Sequence, residues 1–296
     1  MKISQEELNA LINHPRFKNL HGLDLSEANL SGADLSEADM SDANLISANL
    51  SDTNLSEADL IDADLSKANL SRANLRDADL RRANLGKANL SRSDLSRANL
   101  SGADLVDADL IGAKLIAIKS SDVNFSKADL READLSKADL SRSKLPGVNL
   151  SKADLSGAKL IRADLSDADL REANLIGSFL GGANLSRAKL NSAELRWVNL
   201  SKADLTNADL NRANLVNADL TEADLTEANL SKADLSDANL ANANLTKADL
   251  SEARLIGADF STSILRWAKL TEAVYGASTK FPAGFDPKAA GAILKS

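Results

Sequence analysis

The sequence predicts an all-β solenoid, in which the chain turns a corner every five residues and stacks coil upon coil. Three observations carry this. From residue 20 to residue 275 every fifth residue is Leu, the exceptions being Met40, Ser120, Phe125, Phe260 and Tyr275. Two residues before each of these stands a small residue, usually Ala, with Asp or Asn between, as in Ala33-Asp34-Leu35 and Ala173-Asn174-Leu175. Aromatic residues make up only 3% of the 296-residue chain. An ordinary globular core of this size could not be filled so sparsely, so Leu and Ala must fill it.

A five-residue period matches neither the 3.6 residues of a helical turn nor the two-residue alternation of a strand. Leu and the small residue two before it share the inward face. The Asp or Asn between them, and the Ser and variable polar residue that follow, face water. Because repeats grow a solenoid without dividing it, length gives no domain count here.

The unit A(D/N)LSx, held in one register over residues 20–275, resembles the repeat of the pentapeptide-repeat family. That resemblance implies a right-handed quadrilateral parallel β-helix with twenty residues to the coil and about 13 coils. Residue k would then lie over residue k − 20, so that surface columns can be read from the numbering. The expected organisation is an N-terminal helical cap over 1–19, the β-helix over 20–275 and a C-terminal cap over 276–296. Ser4-Gln5-Glu6-Glu7 is a capping box ahead of the stripe Leu8, Leu11 and Ile12, and Pro15 closes it. Asp286-Pro287 reads as N-cap and first residue of a second short helix running to Leu294. The stretch from Tyr275 to Gly291 resembles tails of cyanobacterial members, with Phe281 and Phe285 expected to cover the last coil and Trp267 expected beneath the cap. Ile118 and Ser120 exchange large and small inward residues, and Pro146-Gly147 marks a tightened corner.

Chemistry-bearing motifs are sparse. Cysteine is absent, so no disulfide or thiolate site is expected. The two histidines, His14 and His21, lie near the N-terminal cap and read as surface or cap residues. Neither a nucleophile elbow nor a phosphate-cradling glycine loop occurs. Carboxylates recur at one outward position instead of converging. The expectation is therefore no enzyme activity, no cofactor and no metal. A formal charge of −8 disfavours direct binding of nucleic acid. The longest apolar run in the repeats, Leu115 to Ile118, is far too short to span a membrane. The start turns polar by Ser4, so a cytoplasmic location is expected. Capped ends and negative charge point to a monomer.

Function must then lie in the outward residues. Between Lys18 and Lys67 there are acids but no Lys or Arg, with Asp39 and Asp59, and Asp42 and Asp62, stacked one coil apart. Residues 67–100 are correspondingly rich in bases, which could lean over neighbouring carboxylates or leave the acidic band free for a cationic surface. Phe179 occupies a slot that normally holds Asp or Asn. Trp197 stands over Gly177, and with Ile176 and Val216 these residues predict an apolar corner. Two functional classes follow. One is a structural interaction module for an unidentified protein partner, recognised through Asp39, Asp42, Asp59, Asp62 and the apolar corner. The alternative, implied by the resemblance, is an acidic mimic of DNA that binds a DNA-processing enzyme such as gyrase.

Overall fold

The computed structural model describes residues 19–295 together with Glu6, which is helical. The rest of the expected N-terminal cap lies outside the described residues. The chain divides into two compact units, one ending at Asn149 and one beginning at Leu150.

In each unit the hydrogen-bonding partner lies twenty residues away. Parallel bridges run from Asn19↔Asp39 to Asp129↔Asn149 in unit 1, and from Asp154↔Asn174 to Arg254↔Val274 in unit 2. A corner every five residues and a return every twenty define a four-sided coil. The five N–H groups of one repeat show why the motif takes this path. The Leu25 N–H donates to the Asn44 carbonyl at 2.8 Å, one coil on, and the Asn49 N–H donates to Ala28 at 2.9 Å, one coil back. The Glu27 N–H reaches the Ile46 carbonyl at 2.9 Å, and the Ala28 N–H closes the corner onto the Leu25 carbonyl at 3.1 Å. The fifth has no backbone acceptor and goes to a side chain: the N–H after each Leu donates to the Oδ1 of the preceding Asp or Asn, as Ile46 does to Asn44 at 3.1 Å. Every repeat is thus an Asx turn, which accounts for the Asp or Asn. Ser is frequent after Leu for a related reason, since its hydroxyl can donate to the same oxygen, as Ser201 does to Asn199 at 2.7 Å.

The last residue of each corner lies in the left-handed region. Glu27, Lys67 and Lys127 have φ of 61°, 59° and 59°, and Gly147 and Gly177 sit at 64° and 63°. A positive φ at the third position, with the first carbonyl bonded to the fourth N–H, is type II turn geometry. Pro146 occupies the second position, where that turn favours proline, and its missing N–H removes the need for an Asx acceptor at Lys144.

Leu and Ala fill the interior of both units, nearly all of them fully buried. Ile118 and Ser120 are both buried, and the Ser120 hydroxyl donates to the Asp139 carbonyl at 2.8 Å. Ser178 and Ser263, in Ala slots, donate to the carbonyls of Leu175 and Phe260.

Outside, Asn residues join coils by side chains. The Asn44 Nδ2 donates to Asp24 Oδ1 and the Asn174 Nδ2 to Asp154 Oδ1, both at 3.1 Å. Where Asp stacks on Asp this bridge is lost and like charges face each other, as at Asp204↔Asp224. Asp224→Asn would keep the acceptor used by Thr226 and Asn244 and add a donor toward Asp204. It is expected to stabilise unit 2 by about 0.5–1 kcal/mol, read from chemical denaturation; a loss of stability would contradict the ladder.

At the C-terminus the expected helix does not form. Asp286 does cap, its Oδ1 accepting from the N–H groups of Lys288 and Ala289 at 3.0 and 3.2 Å. Only one turn follows before Gly291, at φ 91°, reverses the chain, and one turn is too short to propagate a helix. The chain then forms strand β2, Ile293–Leu294, parallel to β1, Val274–Tyr275. Phe281 stacks on buried Phe260 with centroids 5.7 Å apart, and Phe285 stacks on Phe281 at 5.5 Å. One extra residue enters this last path, so Asp259 pairs with Lys280, and the Thr279 hydroxyl donates to the Leu255 carbonyl at 2.8 Å.

The Lys280 ammonium lies 2.8 Å from Asp259. With the Ser261 hydroxyl and N–H it holds the Asp259 carboxyl at a pKa of about 2, against its ordinary 3.8. A depressed carboxylate pKa adds stability above the unfolded value, and that stability fades as pH falls from near 4 toward 2. Because Lys280 is largely exposed, the contribution is expected to be about 1 kcal/mol. Denaturation of wild type and Asp259→Asn should therefore differ at neutral pH and converge near pH 2.

Candidate functional site

The outward columns present three kinds of side chain: the Asx row at mid-face, and the two corner positions after each Leu. Charges in them are largely paired from coil to coil. Arg72 grips Asp52 through Nε and Nη2 at 2.7 and 2.6 Å, and Arg187 grips Asp167 through the same atoms at 2.7 Å each. Arg82 does the same to Asp62, and its hydrogen bonds hold that carboxyl below the usual carboxylate range.

This pairing reaches into the acidic stretch. Asp39 and Asp59 are bridged neighbours in one column, as expected from their spacing. The Ser41 hydroxyl donates to Asp39 at 2.6 Å, and this bond foremost lowers the Asp39 pKa. Asp42 and Asp62 occupy successive corners, the Asp42 N–H bonding to Ile61 at 2.9 Å. His21 Nδ1 lies 3.9 Å from Asp42. Asp62 is taken by Arg82, and Asp52, in the same stretch, by Arg72.

The apolar residues are arranged differently from the expectation. Phe179 and Trp197 stand out, at 47% and 57% exposure, whereas Ile176 and Val216 are half-buried. The corner is not continuous. Gly177 bonds to the carbonyl of Arg196, and Trp197 to that of Val216, which places Arg196 between Ile176 and Val216. The Arg196 guanidinium lies 5.6 Å from the Trp197 ring centroid, and its Nε is 3.1 Å from Glu194. Nothing stands over Gly177 within 4 Å of where a Cβ would be, so Trp197 does not fold onto it. Ile161, at 43% exposure, joins the group instead, one coil back and across the face from Phe179. Its corner slot usually holds Ser, and that departure was the signal in the sequence. Trp267, expected beneath the C-terminal segment, is 62% exposed with the Arg266 guanidinium 3.8 Å from its ring centroid.

Phe179 and Trp197 both break the local rules of the coil. Phe179 cannot accept the Gly181 N–H that Asp or Asn would take. Trp197 holds a bulky side chain at φ 55°, where glycine is at ease. Neither gains burial in return, and uncompensated departures of this kind belong to functional surfaces. Among the described residues no group of His, Cys, Asp and Glu is placed to hold a metal ion, and no helix is long and apolar enough to cross a membrane.

The family described as pentapeptide repeats matches the chain in overlapping stretches running from residues 19–52 to residues 233–272. No curated protein matches it significantly. Among solved structures, it is similar to HetL, a pentapeptide repeat protein involved in heterocyst differentiation regulation in Nostoc sp. strain PCC 7120. The two are 35% identical over 87% of this chain and 96% of that one, with a TM-score of 0.34. Similarity to QnrB1, a plasmid-mediated fluoroquinolone resistance protein, is 21% over 63% of this chain and 91% of that one, with a TM-score of 0.37. With alr5209, also from Nostoc, it is 40% over 36% of this chain and 84% of that one, with a TM-score of 0.21.

Proposed function

The chain belongs to the pentapeptide-repeat family, whose fold is a right-handed quadrilateral β-helix, and we propose on that premise that it is a non-enzymatic interaction module that docks a protein partner. The observation carrying this reading is the pair Phe179 and Trp197, exposed aromatics in slots whose backbone geometry calls for Asx and glycine. Isolated exposed apolar residues are ordinary surface features. Here two large aromatics and Ile161 share one side of successive coils, and aromatic anchors dominate the energetics of protein interfaces. The acidic residues Asp39, Asp42 and Asp59 form a second, electrostatic surface for association, with Asp62 drawn into its pair with Arg82.

The test uses substitutions that favour the fold while removing the surface. Phe179→Asn restores the Asx turn and Trp197→Gly relieves the left-handed corner, so the double variant should melt no lower than the wild type. The wild-type chain should capture a protein partner from lysate and the double variant should lose it. An unchanged set of captured proteins would overturn the assignment.

The acidic stretch favours a second reading, mimicry of DNA toward an enzyme such as gyrase. Against it stands the pairing of Asp52 and Asp62 with Arg72 and Arg82, which breaks up any uniform negative face. Addition of the protein to a gyrase supercoiling assay is expected to leave the rate unchanged.

A further inference from the structure

The side of unit 2 that carries Phe179 has a charge pattern opposite to that of the whole protein. Three stacked segments make it: residues 156–162, 176–182 and 196–202. They are held together by Lys159↔Phe179 and Phe179↔Asn199, by Arg162 N–H to Gly181, and by Gly182 N–H to Ser201. In a chain of net charge −8, these segments contain no carboxylate and four bases, Lys159, Arg162, Arg196 and Lys202.

The bases surround the apolar group. Lys159 adjoins Phe179 in its column. Arg162 lays its stem beside Gly182, where a Cβ would sit 3.6 Å from its Cγ. Arg196 lies against Trp197. Lys202 faces outward from the patch, 3.6 Å from Glu222 on the next coil, and Arg196 is paired with Glu194 around the corner. Lys159 and Arg162 have no carboxylate within ion-pair distance among the described residues, in a protein whose other bases are repeatedly matched to an acid one coil away. Between Phe179 and these bases, Gly177 and Gly181 carry no side chain, so a ligand can approach the backbone beside the aromatic ring.

Resting on the interaction reading above, we propose that this side binds an acidic peptide segment carrying one apolar side chain. The apolar side chain packs on Phe179 between Ile161 and Trp197, and the flanking carboxylates reach Lys159 and Arg162. Patch size favours a peptide over larger anions. Three coils span roughly 10 Å, the length of about three extended residues. A nucleic-acid strand or an anionic membrane would extend past the patch onto Asp219 and Glu222 of the next coil. Those acids lie within the screening length of about 8 Å at physiological salt.

The probe is a labelled synthetic peptide of aspartate and glutamate around a central leucine, titrated against the full chain by fluorescence anisotropy. Saturable binding that weakens with salt is expected. Replacing the leucine by serine should weaken it ~10-fold, as should Lys159→Glu with Arg162→Glu, both at exposed positions where the melting temperature should hold. Equal binding of the serine peptide, insensitivity to charge reversal, or absence of saturable binding would overturn the proposal. So would tighter binding of oligothymidylate or phosphatidylserine vesicles, or self-association that the charge reversal removes. If Phe179→Asn with Trp197→Gly abolishes lysate capture while charge reversal does not, the interaction reading stands and the acidic ligand fails. If neither change affects capture, both fail.

Discussion

Replacing Leu65 with aspartate is expected to abolish the cooperative unfolding transition of unit 1. Leu65 is fully buried, with Leu45 and Leu85 in the same slot one coil away on either side. Its N–H bonds to the Asn84 carbonyl at 2.7 Å, and the Leu45 N–H bonds to Asp64 at 2.7 Å, so the slot is clamped from both directions. The substitution removes about 2–3 kcal/mol of apolar burial. It also places a carboxylate where every near neighbour is Leu or Ala, which costs several kcal/mol more. A solenoid is stabilised by contacts between successive coils, so one coil that cannot stack breaks the sum. Leu65→Met is the control: Met40 fills the same slot natively, and the loss should stay below about 1.5 kcal/mol. Thermal unfolding followed by circular dichroism reads both, and an aspartate variant melting like the wild type would show that the slot does not face inward.

At the corners the second large effect is expected from Lys127, which has φ 59° and donates its N–H to the Pro146 carbonyl at 3.0 Å. Lys127→Pro demands φ near −65° and removes the donor, and should lower stability by about 3 kcal/mol or more. Lys127→Gly acts in the opposite direction. A left-handed conformation costs an L-residue about 1–2 kcal/mol. Part of that relief is offset by the greater freedom of glycine in the unfolded chain, so a net gain of about 0.5–1 kcal/mol is expected. Equilibrium denaturation of the pair decides the matter: two variants shifting in the same direction would be incompatible with a left-handed corner.

The interior was legible because a period of five leaves one solution for Leu and Ala. The reason for Asp or Asn was not. A polar side chain that turns back onto its own backbone and one that faces water follow the same pattern, and only the paths of the N–H groups separate them. Asp286-Pro287 was a true capping signal, but Gly291 set the length of what followed, and one turn is no helix. In the candidate site, the twenty-residue return already places Arg196 between Ile176 and Val216 and sets Ile161 near Phe179, although attention to apolar residues alone passes over both. The freedom of Lys159 and Arg162 required coordinates, since a base finds its carboxylate through rotamers that the sequence does not state. Trp267 shows the same limit: proximity in sequence to a terminal segment did not cover its ring.

The interior of each unit counts the chain by fives and the surface counts it by twenties. Loss of residues 66–70 would keep every later Leu in an inward slot and every corner in its turn. It would nonetheless set Arg82 over Glu57 and Lys87 over Asp62, dealing each base a new acid. Loss of twenty residues would restore the columns in a shorter coil stack. A change of one repeat is therefore nearly silent to the core, yet it turns everything downstream by a quarter circle for whatever reads the outside. In such a protein, recognition can be re-indexed by length alone, without altering a single buried side chain.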